Sequence, residues 1–200
     1  ILFIAAQLVD IAFFIFVLGG VEAMRLTPGI TVMNGLDLYH MPYTHSLLGG
    51  LIWGGGMMAV MWAMTKNRTG ALIAGAVVVS HWFVDLLVHR PDLTIAGSPP
   101  PLGLGLWNYP LIEMPLELGL IGASLGFYLS RTKHIAGTAT HWPWTLGVVM
   151  LLVQLYNWLS PEPKALYASL PISALFAFGL FAWLAYKVAQ TRTREGAGEN

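Results

Sequence analysis

Six long apolar stretches, separated by polar connectors, dominate the hydropathy pattern of the 200-residue chain. A helix that crosses a membrane needs about 20 mostly apolar residues. The connectors are rich in Gly, Pro, Thr and charge, which is typical of turns and loops. The pattern therefore predicts an all-α, polytopic membrane helix bundle over 1–190, followed by a polar C-terminal tail over 191–200. The predicted transmembrane helices are 1–22, 45–64, 70–89, 110–130, 143–160 and 166–187.

The composition agrees with this fold class and excludes several functions. Hydrophobic residues make up 56% of the chain and charged residues only 10%, whereas a soluble domain carries about 25% charged residues. Ten basic and ten acidic residues cancel, so no net field attracts nucleic acid and we expect none as a partner. The chain has no cysteine, which excludes disulfides, thiolate metal sites and cysteine nucleophiles.

The distribution of Lys and Arg predicts the orientation in the membrane. With six crossings, seven basic residues fall on one side and three on the other, and the positive-inside rule assigns the richer side to the cytoplasm. Both termini are then cytoplasmic. The richer side carries Lys66, Arg68, Arg131, Lys133, Lys187, Arg192 and Arg194, and the other carries Arg25, Arg90 and Lys164. Because the chain starts within an apolar run, we expect further residues ahead of Ile1.

Ionisable residues interrupt the third predicted helix in the segment SHWFVDLLVHRPD, residues 80–92. His81, Asp85 and His89 are four residues apart and so share one helix face. His45 stands at the same outer level, at the start of the second helix, and Asp10 lies near the middle of the first. Ionisable groups at this depth cost several kcal/mol each unless they pair, face water or bind an ion.

A divalent cation would satisfy these groups together. Imidazole nitrogen and carboxylate oxygen are the usual zinc ligands where thiolates are absent, and they also bind manganese or iron. The predicted ligands are His45, His81, Asp85 and Asp10, with zinc favoured and manganese as the alternative. Glu117 of the fourth helix is a further candidate ligand or a catalytic base. About three ligands, an open position for water and a nearby carboxylate are what a hydrolytic metal centre needs.

Each element of this pattern also has a structural alternative. A histidine and an aspartate one helical turn apart can simply bond each other, and residues 89–92 can be a capped helix end. Thr44 or Ser46 can cap the second helix, and Glu113 and Glu117 can pair with an arginine. The convergence of polar groups from several helices favours a functional site over these alternatives.

Three sequence elements resemble a known family. YTHSLLGGLIWG (43–54), SHWFVDLLVHRPDL (80–93) and GLGLWN (103–108) are similar to small bacterial inner-membrane proteins labelled membrane-bound metal-dependent hydrolases. The resemblance covers residues 4–130 and implies a location in the bacterial inner (cytoplasmic) membrane. Members often carry a further histidine near the N-terminus, which is absent here. The family-like positions present are Asp10, Asp37, His45, His81, Asp85, His89 and Glu117.

Two functions of different classes follow. The first is a metal-dependent hydrolase near the outer leaflet, acting on a lipid or lipid-linked ester among the membrane lipids. Glu117 and His89 would then move protons, and Arg90 would steady an anionic headgroup. The alternative is a non-catalytic subunit or scaffold of a larger membrane protein complex. Axial ligation of a haem by His45 and His89 is disfavoured, because the surrounding acids suit a bare cation.

Overall fold

The computed structural model describes residues 1–161 and 168–194. The described part contains six α-helices, which confirms the all-α fold class. The predicted connector beyond Pro161, with Lys164 and the start of the sixth predicted helix, lies outside the described residues, as does the tail beyond Arg194. The helices are α1 (Leu2–Leu18), α2 (Leu47–Thr65), α3 (Arg68–Val88), α4 (Pro110–Ser130), α5 (Trp142–Leu159) and α6 (Ser169–Gln190).

Four of the described helices, α2, α3, α4 and α6, are long and apolar enough to cross a membrane. Helix α1 is apolar but has 17 residues, so at 1.5 Å per residue it extends about 26 Å. That is slightly less than the roughly 30 Å hydrocarbon core of a bilayer. The chain is therefore a membrane protein by its helices, while the crossings by α1 and α5 stay predictions.

The chain divides into two compact units, which we describe separately. The first contains residues 1–110 and the start of α6 up to Phe178. The second contains residues 111–161 and the chain from Gly179 onward.

Helices α2 and α3 form a tightly packed hairpin at the centre of the first unit. Ser46 caps α2 by accepting a hydrogen bond from the Gly49 amide, and Asn67 caps α3 in the same way. The two helices touch at Gly54 and Gly75, where a Cβ built on either glycine would lie 2.9 Å from the carbonyl oxygen of the other. Small residues thus allow the backbones to approach, as is common in membrane helix pairs. Helix α1 packs on α3.

A two-stranded antiparallel sheet follows α1 where the sequence predicted only a connector. Strand β1 (Ala23–Leu26) pairs with β2 (Leu36–His40). The strands contribute Met24 and Leu38 to a buried cluster with Phe13, Met41 and Leu93. The hairpin therefore belongs to the core of the first unit.

Residues 90–109, predicted as an outer loop, are tied into the first unit by backbone hydrogen bonds. The Met33 amide donates to the Trp107 carbonyl, the Leu47 amide to Thr94 and the Leu104 amide to Leu86. A short 3-10 turn at Leu106–Asn108 ends the segment. These bonds hold His89 and its neighbours at the C-terminal end of α3.

The second unit contains α4, α5 and the remainder of α6. Its chain ends pair as a second antiparallel sheet, in which β3 (Thr132–His134) meets β4 (Arg192–Arg194). The Arg192 side chain donates to the carbonyl oxygens of Thr132 and Leu129 at 2.5 and 3.1 Å. The predicted tail is thus ordered at its beginning.

The contact between α2 and α3 can be tested with two adjacent glycines. Gly54→Ala would place a Cβ 2.7 Å from Val79 and 2.9 Å from the Gly75 carbonyl, and overpacking of this kind costs about 1–3 kcal/mol. We expect a lower thermal unfolding midpoint for the detergent-solubilised protein. Gly55→Ala is the matched control, because a Cβ there meets no atom within 4 Å. Equal midpoints for the two variants would contradict the close packing.

Candidate metal centre

Three helices of the first unit bring the four predicted ligands together. Asp10 lies on α1, His45 stands two residues before α2, and His81 and Asp85 lie one turn apart on α3. Asp10, His45 and His81 each offer a ligand atom, and these atoms lie within 4.8 Å of one another. The structure therefore brings His45 and His81 close together, and their joint binding of an ion stays a prediction.

The ligand atoms form a ring in which imidazole nitrogens alternate with carboxylate oxygens. The His81 Nε2 atom lies 3.4 Å from Asp10 Oδ1 and 3.2 Å from Asp85 Oδ2. The His45 Nε2 atom lies 3.4 Å from Asp10 Oδ1 and 3.7 Å from Asp85 Oδ2. Two ligands bound to one ion at about 2.1 Å are roughly 3.0–3.4 Å apart at octahedral or tetrahedral angles. The three contacts at 3.2–3.4 Å suit a single transition-metal ion, whereas the His45–Asp85 contact at 3.7 Å is longer.

Hydrogen bonds to the opposite ring nitrogens indicate which tautomers are present. His81 Nδ1 lies 3.1 Å from the Ala6 carbonyl oxygen, which can only accept, so Nδ1 carries the proton. His45 Nδ1 lies 2.8 Å from the hydroxyl oxygen of Thr44, whose own proton is donated to Glu22. Both Nδ1 atoms are therefore placed to donate, and each Nε2 faces the carboxylates, which is the nitrogen that a metal-ligating histidine in this tautomer offers to the ion.

His45 and Asp85 form the buried part of the ligand ring. His45 is 3% exposed and Asp85 is 7% exposed. His81 Nε2 and Asp85 Oδ2 are buried and have no hydrogen-bond partner in the described part of the chain. All ion-pair partners of Asp10 and Asp85 among those residues are histidines. Neutral rings protonated on Nδ1 would set lone pairs against the carboxylate oxygens without a donor, and a divalent cation would remove that repulsion.

The cluster is not sealed on the α1 side. The Asp10 side chain keeps 31% of its surface exposed, compared with 14% for His81. Phe13, three residues further along α1, packs on His45 in a T-shaped arrangement with a centroid separation of 5.0 Å. Asp10 thus marks the most accessible side of the site, where an open coordination position could be reached.

His89 lies beside the ligands. Its Nε2 atom is 3.9 Å from Asp85 Oδ1, and its Nδ1 atom is 3.0 Å from Asp92 Oδ1. The ring also stacks on Trp107 at a centroid distance of 4.2 Å, and His89 is the C-terminal cap of α3. The structural and functional interpretations of this residue are therefore compatible, and its role in proton transfer stays a prediction.

Arg90 is engaged by acidic side chains. It donates a hydrogen bond to Asp37, and its Nε atom lies 3.4 Å from Asp92 Oδ2. Asp37 also accepts from Arg25 at 2.6 Å. Asp37 and Arg90, 53 residues apart, thus link the β hairpin to the end of α3. Recognition of an anionic headgroup by Arg90 stays a prediction, and it would compete with these contacts.

Glu117 belongs to the second unit. Glu117 accepts a hydrogen bond from Gln154 of α5. On α4 it lies one helical turn from Glu113, which is 1% exposed. The predicted roles of Glu117 as a base or ligand stay predictions.

Two groups that hold the histidine ligands, the Thr44 hydroxyl and the Ala6 carbonyl, were not identified from the sequence. Ser46 alone provides the predicted α2 cap, while Thr44 instead contacts His45 and Glu22. The Ala6 carbonyl, which orients His81, carries no signal because every residue has a carbonyl group. The order Thr-His-Ser was the available hint for Thr44, since a hydroxyl next to a histidine can bond its ring.

Comparisons of the chain with protein-family models, with curated proteins and with solved structures return no match.

The site predicts that divalent cations stabilise the folded protein. An ion that binds only the native state adds about 2.7 kcal/mol when its free concentration is 100 times its Kd. We expect micromolar zinc or manganese to raise the thermal unfolding midpoint of chelator-treated protein. His81→Ala should abolish that increase, and His40→Ala, which removes an exposed histidine of the same unit, should preserve it. An equal increase in both variants would indicate binding elsewhere.

Proposed function

We propose that the chain is a membrane-bound metal-dependent hydrolase of the kind its sequence elements resemble. The observation that supports this most strongly is the ring of two imidazole Nε2 atoms and two carboxylate oxygens, spaced by 3.2–3.7 Å. Two nitrogens and two oxygens arranged in this way form a set of ligand atoms that a single cation can bind. The location we propose is the outer-leaflet half of the bacterial inner membrane.

Zinc is the ion we propose, with manganese as the alternative. Two nitrogens and two oxygens, without sulfur, suit either metal. When bound, such an ion lowers the pKa of a coordinated water toward neutrality and polarises the bond to be cleaved.

The residues around the proposed ion would have two roles, metal ligation and proton transfer. His45, His81 and Asp85 are the buried ligands, and Asp10 is the fourth ligand on the accessible side. His89, whose Nε2 faces Asp85, is placed to take up or return a proton. Its hydrogen bond to Asp92 keeps the opposite nitrogen protonated and so leaves Nε2 available as an acceptor.

A lipid or lipid-linked ester is the substrate class that the setting favours. The ligands come from helices α2 and α3, which are long and apolar enough to cross a membrane, and from the apolar helix α1. A substrate that approaches Asp10 would do so along this apolar surface. Ester or phosphoester groups of lipids lie at the boundary between headgroups and acyl chains, which corresponds to the predicted depth of the site.

Hydrolysis can be tested on the purified protein in mixed micelles with phospholipid. We expect release of fatty acid or phosphorylated headgroup that requires added zinc or manganese. His81→Ala should reduce the rate at least about 100-fold, because removing even an outer partner of a ligand costs 10–100-fold. His40→Ala should keep the wild-type rate.

Activity that survives both chelation and His81→Ala would contradict the proposal. A metal-loaded protein that cleaves neither carboxylic esters nor phosphoesters would favour the non-catalytic subunit instead.

A further inference from the structure

Glu22 is a buried acid outside the ring of ligands. It is 1% exposed and lies between α1 and β1. Its Oε1 atom accepts hydrogen bonds from the Tyr43 and Thr44 amides at 2.8 and 3.0 Å, and its Oε2 atom accepts from the Thr44 hydroxyl at 2.7 Å. No Lys, Arg or His forms an ion pair with it in the described ranges. Three donated bonds therefore hold this carboxylate in place.

The Thr44 hydroxyl has one proton, which it donates in the hydrogen bond to Glu22. The Thr44 oxygen then presents lone pairs to His45 Nδ1, 2.8 Å away. A hydrogen bond at this contact requires the proton to come from the imidazole. The carboxylate thus determines, through one hydroxyl group, which nitrogen of His45 is protonated.

We propose that Glu22 is a positioning residue that fixes His45 in the Nδ1-protonated tautomer through Thr44, so that Nε2 is free to bind a metal ion. The inference rests on the proposed metal site. His81 has its tautomer set by a backbone carbonyl, which no substitution at that position changes. His45 depends on two side chains, so its tautomer can be inverted by replacing one functional group.

Glu22→Gln makes that replacement with almost no change in shape. The glutamine oxygen can still accept from the two backbone amides, while its NH₂ group takes the position of Oε2 and donates to the Thr44 oxygen. The Thr44 proton is then directed to His45 Nδ1, and the ring must carry its own proton on Nε2. That proton would point at Asp10 and Asp85 and block the metal position.

Two substitutions at Thr44 provide matched controls. Thr44→Ser keeps the hydroxyl group and should keep the wild-type tautomer. Thr44→Val has nearly the same shape without the hydroxyl and should remove the hydrogen-bond partner that sets the tautomer of His45. Together they separate the hydrogen-bond relay from the packing of the side chain, and they keep the test open if Glu22→Gln folds poorly.

The first measurement is nitrogen-15 NMR of the full chain in detergent, with labelled histidine and without metal, at a pH where imidazole is neutral. The His45 signals are assigned by their loss in His45→Asn. We expect Nδ1–H in the wild type and in Thr44→Ser, and Nε2–H in Glu22→Gln. An Nε2–H tautomer in the wild type, or an unchanged tautomer in Glu22→Gln, would overturn the inference.

The second measurement is the zinc affinity of the same proteins. We expect Kd to rise about 10–100-fold in Glu22→Gln and in Thr44→Val, as for other outer partners of metal ligands, and to stay near the wild-type value in Thr44→Ser. Equal affinities in all four proteins would overturn the inference. Absence of zinc binding by the wild type would overturn the proposed function, whereas the tautomer in metal-free protein tests the inference by itself.

Discussion

Charge compensation for buried carboxylates is the constraint on which the first unit depends. Asp10 and Asp85 lie on helices that pack within an apolar environment, where an uncompensated charge costs several kcal/mol. Their neighbours are His45 and His81, whose Nδ1 atoms are held by hydrogen bonds so that Nε2 faces the carboxylates. The close packing of α2 on α3 at Gly54 and Gly75 helps to bring these groups together. A cation bound among the four side chains would compensate the charge of the two carboxylates.

Three other acids in the first unit have arginines or hydrogen-bond donors around their carboxylates, unlike Asp10 and Asp85. Asp37 is bound by two arginines, Asp92 has Arg90 and the Nδ1–H of His89 as neighbours, and Glu22 accepts three hydrogen bonds. Each has donors. Asp10 and Asp85 have only histidine nitrogens as ion-pair partners in the described part of the chain, which distinguishes the ligand ring from these other acids.

The sequence predicted the features that depend on local periodicity. The helices follow from the length of the apolar stretches, and the stripe from His81 to His89 follows from a spacing of four residues. The β1–β2 hairpin was missed because its strands have only four and five residues and lie among Gly, Pro and Thr. The Arg90–Asp37 and Glu22–Thr44 contacts join residues 53 and 22 positions apart, so no local pattern indicates them. Glu117, grouped with the site by sequence, belongs to the second unit.

The most direct test of the account is elemental analysis of the detergent-purified full-length protein by mass spectrometry, without chelator at any step, beside the double variant His81→Ala/Asp85→Ala. The account predicts about one zinc or manganese ion per chain in the wild type, and its loss in the double variant. Wild-type protein without stoichiometric metal, or a double variant that retains the ion, would contradict the claim that these four side chains form a metal centre.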